Sequence, residues 1–103
     1  MSQRSQLGEH PIDRLRSLPL EPIDYCRRWV LIDPARSYWK VCVNALAQAT
    51  GLSPKTIKNW GTNFQQRPRY IPYVLRQADL LNQIRELDRA QQLSTLLLNT
   101  LHE

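Results

Sequence analysis

The chain has 103 residues, of which 42% are hydrophobic, and carries a formal charge of +5. Its length suits one small domain, and its two cysteines are too few for a disulfide scaffold. The sequence contains no run of about 18 apolar residues, as a membrane span would need, and residues 1–20 lack the apolar segment of a signal peptide. Composition therefore argues against a membrane protein and a disulfide-rich secreted protein, and predicts a cytoplasmic one.

The positive charge is concentrated in the middle of the chain. No carboxylate lies between Asp33 and Asp79, and this basic interval (residues 34–78) holds seven basic residues. The rest of the chain holds seven basic and nine acidic residues, so the interval has a charge of +7 and the remainder −2. A concentrated positive field of this kind favours a polyanionic partner such as nucleic acid.

Three regions follow one another along the chain. Residues 1–20 are polar and contain glycine and prolines, and we predict a flexible or docked N-terminal arm. Residues 21–78 are predicted to form a helical domain. Residues 79–103 carry a leucine stripe at helical spacing and are predicted to form a long C-terminal helix, which begins at Asp79.

Four helices are predicted before that point, each from its start signal. The first opens at Glu21-Pro22 and extends to about residue 32, because proline is tolerated in a first helical turn. The second is expected to be capped by Asp33 and to end at Gly51, and the third begins at Ser53-Pro54 and ends near residue 63. The fourth begins near residue 70. No strand-like alternation competes, so the predicted class is all-α, a small helical domain with a central helix-turn-helix and a long C-terminal helix.

The most informative stretch is residues 43–61, VNALAQATGLSPKTIKNWG. A tight crossing of two helices needs a small residue on the first helix and a glycine that can adopt a left-handed conformation at its end. Ala47 and Gly51 meet these needs. Apolar residues from both helices must then share a core, and the residues at the required offsets are Leu46, Leu52, Ile57 and Trp60. We expect Trp60 to lie in this core rather than to stack on bases, and Phe64, beyond the helix, to be exposed.

This stretch resembles the helix-turn-helix of the Cro/C1-type (XRE-like) repressor superfamily over about residues 39–76. The residues that carry the resemblance are Gly51-Leu52-Ser53 in the turn, Thr56-Ile57-Lys58-Asn59-Trp60 on the second helix, and Arg67-Pro68 in the connector. The resemblance implies a small, repressor-like transcriptional regulator that places the helix of residues 54–63 in the major groove of double-stranded DNA.

The outward face of that second helix has the residue types that read DNA. Lysine can donate to guanine, asparagine can pair with adenine, and threonine can contact a thymine methyl group. The predicted base contacts are Lys55, Lys58, Asn59 and Thr62. Contacts to phosphates position a protein without specifying sequence, and for these we predict Lys40, Ser53, Thr56, Arg67 and Arg69.

The leucines of the C-terminal helix exceed what a small domain needs for its own core. We therefore predict a homodimer whose interface contains Leu80, Ile84, Leu87, Leu97 and Leu98. The alternative is that the helix folds back on its own domain. A two-fold dimer would present two reading helices to successive major-groove faces of a palindrome.

The sequence supplies little for catalysis. Its two histidines, His10 and His102, lie near opposite ends, and no Cys/His cluster has metal-ligand spacing. No glycine-rich phosphate loop is present. We therefore predict no enzyme activity, no metal and no cofactor. A competing interpretation is a helix-turn-helix adaptor that docks on a larger protein or DNA-processing assembly.

Overall fold

The computed structural model describes residues 18–101, and every regular element in that range is a helix. The four helices are α1 (Pro22–Trp29), α2 (Tyr38–Thr50), α3 (Pro54–Lys58) and α4 (Ile71–Leu101). This confirms the predicted all-α class with a long C-terminal helix. The first 17 residues of the predicted N-terminal arm lie outside the described range.

The first helix is shorter than predicted. α1 begins with Pro22 at its first turn and ends at Trp29, so residues 30–37 form a link to α2. Leu31 and Ile32 lie in this link and are 87% and 82% exposed. The predicted continuation of the apolar face to residue 32 is therefore wrong, because the chain turns away from the core after Val30.

The second helix starts later than predicted. Asp33 caps a separate turn, since the amide of Ala35 donates to its carboxylate at 2.9 Å. Ser37 is the residue that caps α2, accepting a hydrogen bond from the amide of Lys40 through its hydroxyl. Both positions have the residue types of a helix cap, and the sequence alone favoured the first because a proline follows it.

The core lies where α2, α3 and α4 meet. Its fully buried side chains include Leu46 of α2, Ile57 of α3, and Ile71 and Leu75 of α4. Cys26 and Cys42 are buried free cysteines in the same cluster, and burial, reinforced by the neighbouring Cys42 thiol, raises the pKa of the Cys26 thiol. A protonated buried thiol acts as a small hydrophobic side chain.

The C-terminal helix is continuous. Where the sequence predicted one helix from residue 70 and a second from Asp79, α4 runs for 31 residues from Ile71 and passes through the predicted boundary at 78 and 79 without a break. No glycine or proline occurs in α4 after Pro72, so nothing interrupts its backbone hydrogen bonding. Its first turns complete the core, and residues 84–101 are all exposed.

A candidate nucleic-acid interface

The turn between α2 and α3 has the backbone geometry of a helix-turn-helix. Gly51 adopts φ +78° and its amide donates to the carbonyl of Ala47 at 2.9 Å, which ends α2 with a left-handed residue. Ala47 and Leu52 are partly buried against the core, while Leu46 and Ile57 are fully buried. These contacts hold α3 firmly across the end of α2.

A pair of hydroxyl groups organises the start of α3. The Ser53 hydroxyl accepts a hydrogen bond from the amide of Thr56 at 3.2 Å and lies 3.0 Å from the Thr56 hydroxyl. Both residues are exposed. The two side chains predicted to contact phosphate here therefore form one hydrogen-bonded unit on the surface.

The outward face of α3 is polar and its inward face is buried. Ile57 is 0% exposed and Trp60 is 3% exposed. The predicted base-contacting side chains all lie on the surface: Lys55, Lys58, Asn59 and Thr62. The exposed surface of α3 and of the turn after it thus displays two ammonium groups, an amide and a hydroxyl, and the buried side chains of Ile57 and Trp60 lie on the opposite side.

The second helix of the motif, α3, is shorter than the predicted span of residues 54–63. α3 ends at Lys58, Asn59 is its C-terminal cap, and the next amides form tighter bonds, with Trp60 donating to the carbonyl of Ile57 at 3.0 Å. Gly61, at φ +92°, then redirects the chain. Thr62 consequently lies in the following turn and not on the helix.

Phe64 anchors that turn and corrects a second expectation. Although its exposure was predicted, it is 3% exposed, and its ring stacks on Trp39 with the ring centres 6.2 Å apart and the planes 4° apart. Phe64 has φ +57°, a strained conformation for a bulky residue, which its burial maintains. Because Trp39 belongs to α2, this contact places the start of α2 against the turn after α3.

Three of the seven cations in the basic interval are neutralised by acids at or beyond its ends. Arg36 pairs with Asp33, Arg67 with Glu21, and Arg76 with Asp79. The four that form no ion pair within residues 18–101 are Lys40, Lys55, Lys58 and Arg69. All four are exposed: Lys55 and Lys58 lie on α3, Lys40 lies in the first turn of α2, and Arg69 lies in the connector before α4.

Arg67 has a different environment from the one predicted. Its guanidinium donates to both carboxylate oxygens of Glu21, at 3.1 and 2.9 Å, across 46 residues of sequence. The hydrogen bonds to Glu21 raise the pKa of Arg67 further above its ordinary value. These two hydrogen bonds hold the connector before α4 against the residue that precedes α1. The Arg67 guanidinium is therefore already paired within the molecule.

The residues predicted for a dimer interface lie on α4. Leu80 is half-buried, while Ile84, Leu87, Leu97 and Leu98 are between 56% and 71% exposed. The alternative, in which the C-terminal helix folds back on its own domain, is wrong for residues 84–101, because all of them are exposed. These side chains are therefore available to a partner.

No family model, curated protein or solved structure matches the chain. The resemblance to Cro/C1-type repressors consequently rests on the motif residues themselves. Within residues 18–101, none of the helices has the length and apolarity required to cross a bilayer. Over the same range, the structure brings together no group of three or more His, Cys, Asp or Glu side chains that could hold a metal ion.

Proposed function

We propose that this chain binds double-stranded DNA in a sequence-specific manner, as a small cytoplasmic transcriptional regulator of the repressor type. In this proposal, α3 and the turn that follows it enter the major groove. The observation that carries the proposal is the polar face of α3, where Lys55 and Lys58 are exposed and form no ion pair within residues 18–101, as is also true of Lys40 before it and Arg69 after it in the chain. The buried side chains of Ile57 and Trp60 support that face from behind.

Each part of the surface has a distinct task in the proposal. Lys55 and Lys58 donate to guanine edges and Asn59 pairs with adenine, because these side chains are exposed on or at the end of α3. Thr62, in the turn, contacts the edge of the site. Lys40, Arg69 and the Ser53–Thr56 hydroxyl pair contact phosphates and set the position of α3. We leave Arg67 out of this set because Glu21 occupies its guanidinium.

Selection of bound sequences from a random duplex pool, followed by fluorescence anisotropy on the selected duplex, tests the proposal. On that duplex, Asn59→Ala should lose about 1–3 kcal/mol of binding free energy, and on random duplex DNA it should lose little. Lys58→Ala should weaken binding to both. Arg27→Ala is a matched control, because it also removes one positive charge, from an exposed side chain already paired with Asp24 on α1.

Two results would contradict the proposal. The first is the absence of binding to any duplex at low salt, which is what a helix-turn-helix adaptor for another protein predicts. The second is an equal effect of Lys58→Ala and Arg27→Ala, which would mean that binding depends on total charge and not on the α3 surface.

A further inference from the structure

Residues 84–101 of α4, which we call the overhang, extend beyond the domain. Eighteen residues of helix span ~27 Å. After Arg89 the overhang contains no charged residue up to Leu101, and five leucines in this part are between 55% and 79% exposed: Leu93, Leu96, Leu97, Leu98 and Leu101. A helix with so wide an apolar face is stable in water only when another surface covers it.

The same molecule has a surface suited to cover such a helix. Where α4 leaves the domain, an open groove of about 1130 Å³ lies between the helices. It is lined on the domain side by Tyr25, Trp29, Ala45, Gln48 and Ala49, and along α4 by residues between Val74 and Arg89. The part of this wall from Leu80 to Arg89 is ten residues, or ~15 Å, long, which is close to the ~18 Å of residues 90–101, the charge-free part of the overhang.

The groove also suits an uncharged occupant. The charged side chains that line it are Arg85, Glu86 and Arg89, and opposite charges lie side by side there. Its domain wall presents small alanines and aromatic rings rather than ammonium or carboxylate groups. A leucine-rich segment without charge is complementary to such a wall, whereas a nucleic acid or an acidic segment is not.

An overhang cannot fill its own groove. The overhang and the α4 wall of the groove belong to one uninterrupted helix. Residues 84–101 contain neither glycine nor proline at which this helix could fold back. The side by which α4 faces its own core, with Leu75 and Asp79, continues along the helix through the exposed Glu86 and then through Ala90, Leu93, Leu97 and Leu101. The overhang therefore offers Leu93, Leu97 and Leu101 on the core-facing side of α4, beyond Arg89, the last residue that lines the groove.

We propose that the groove is occupied by the overhang of a second copy of this chain, and that the contact is reciprocal. Each copy supplies one groove and one overhang, so a two-fold dimer satisfies both and leaves neither exposed. The two α4 helices run antiparallel and cross near Ala90, which lies midway between Leu80 on the α4 wall of the groove and Leu101 at the end of the overhang. The small side chain of Ala90 lets the helix backbones approach at that crossing point.

Sedimentation equilibrium on the full chain, without DNA, tests the dimer independently of the proposed DNA binding. We expect wild-type protein to be dimeric at low micromolar concentration. Leu97→Glu should raise the dimer Kd by roughly tenfold or more, because it puts a charge into the apolar groove. Asn99→Glu adds the same charge on the polar face of the overhang and should leave the Kd unchanged. Wild-type protein that remains monomeric at tens of micromolar would overturn the proposal.

Cysteine cross-linking tests the antiparallel geometry even if Leu97→Glu unfolds the overhang. Ala90→Cys should form an intermolecular disulfide rapidly under mild oxidation, since the two side chains meet at the two-fold axis. Gln92→Cys, two residues away on the opposite side of the helix, is the matched control and should cross-link slowly. Equal rates, or a faster rate for Gln92→Cys, would show that the helices do not cross at Ala90.

The N-terminal residues are the competing occupant, and they contain Leu7, Ile12 and Leu15. If they fill the groove, Leu15→Glu should convert a monomeric wild-type protein into a dimer by releasing the groove. That result would overturn the proposal. If a second overhang fills the groove, Leu15→Glu should leave the dimer Kd unchanged.

Discussion

Asp79 joins the N-terminal and C-terminal helices of the domain. Its carboxylate is fully buried and accepts hydrogen bonds from Arg28 and Trp29 of α1, at 2.9 and 2.8 Å, and from Arg76 and Gln83 of α4, at 2.8 and 2.9 Å. A buried charge is tolerated when it is paired and fully hydrogen-bonded, as it is here. The contact therefore holds α1 against the middle of α4, at the position where the sequence predicted a new helix to begin.

Replacing this carboxylate should destabilise the fold strongly. In Asp79→Asn the arginines would lose their buried counter-charge, and we expect the free energy of unfolding to fall by about 3–5 kcal/mol. Urea unfolding followed by circular dichroism measures the loss. Asp24→Asn is the control, because it removes an ion pair whose two side chains are 70% and 49% exposed, and it should cost less than about 1 kcal/mol. Similar losses for the two variants would contradict the role given to Asp79.

The same carboxylate should make stability depend on pH. Burial alone raises the pKa of Asp79, but hydrogen bonds from Arg28 and Trp29 and the charges of Arg28 and Arg76 outweigh it, so the pKa lies below its ordinary value. A lowered pKa in the folded state means that the stabilisation is complete above the unfolded-state pKa and disappears as pH falls through the folded-state value.

We therefore expect wild-type protein to lose free energy of unfolding below about pH 4. Asp79→Asn should lose less over the same range, because its amide does not titrate. Urea unfolding of both proteins at a series of pH values from neutral to strongly acidic measures this difference. Parallel curves for the two proteins would show that Asp79 contributes nothing to the acid sensitivity.

At the scale of elements, the end of α2 determines where α3 lies. Gly51 has a left-handed backbone, and a Cβ added there would meet no atom within 4 Å. Gly51→Ala should therefore cost about 1–2 kcal/mol through backbone strain alone. Gly51→Asn should cost less, since asparagine adopts this conformation more readily. Thermal unfolding distinguishes the two variants, and an equal loss in both would mean that a steric clash, rather than φ, is responsible.

The sequence predicted which helices exist better than where they end. Caps and prolines are local signals, and they correctly indicated starts at Pro22 and Pro54 and an end at Gly51. At residues 33–37 two cap-like residues compete, and the outcome depends on how the link packs. The end of α3 depends on Gly61 and on the burial of Phe64, which lies in a turn where no periodicity can reveal its contact with Trp39.

The sequence predicted which residues of the candidate surface face outward, but not which of its cations form ion pairs within the molecule. The residues around Ile57 and Trp60 could be assigned from helical spacing, because two inward positions define the outward ones. The ion pair between Arg67 and Glu21 could not be assigned in this way. Glu21 lies 46 residues from Arg67 in the sequence, and helical spacing predicts only contacts between near neighbours in the chain. A charge count over the basic interval consequently overstates the field that DNA would meet.

At the scale of the whole molecule, the described chain is flat, with principal extents of 54 × 53 × 19 Å. The domain occupies one part of this shape and the overhang of α4 another. The unpaired cations belong to α2, α3 and the connector before α4, whereas the exposed leucines belong to the overhang. Polyanion binding and self-association can therefore occur together, because they use different parts of the chain.

This separation leads to a prediction about salt that rests on both proposals. If each copy places Lys40 and Arg69 on phosphates, a dimer neutralises four phosphates, and log K should fall against log salt with a slope of about −3.6. The Leu97→Glu variant, at concentrations where it is monomeric, should show a slope of about −1.8, because one copy releases half as many counterions. Anisotropy titrations on one long duplex over a range of salt concentrations measure both slopes. Asn99→Glu carries the same added charge and should keep the steeper slope. Equal slopes for Leu97→Glu and Asn99→Glu would mean that the two copies of a dimer do not contact DNA together.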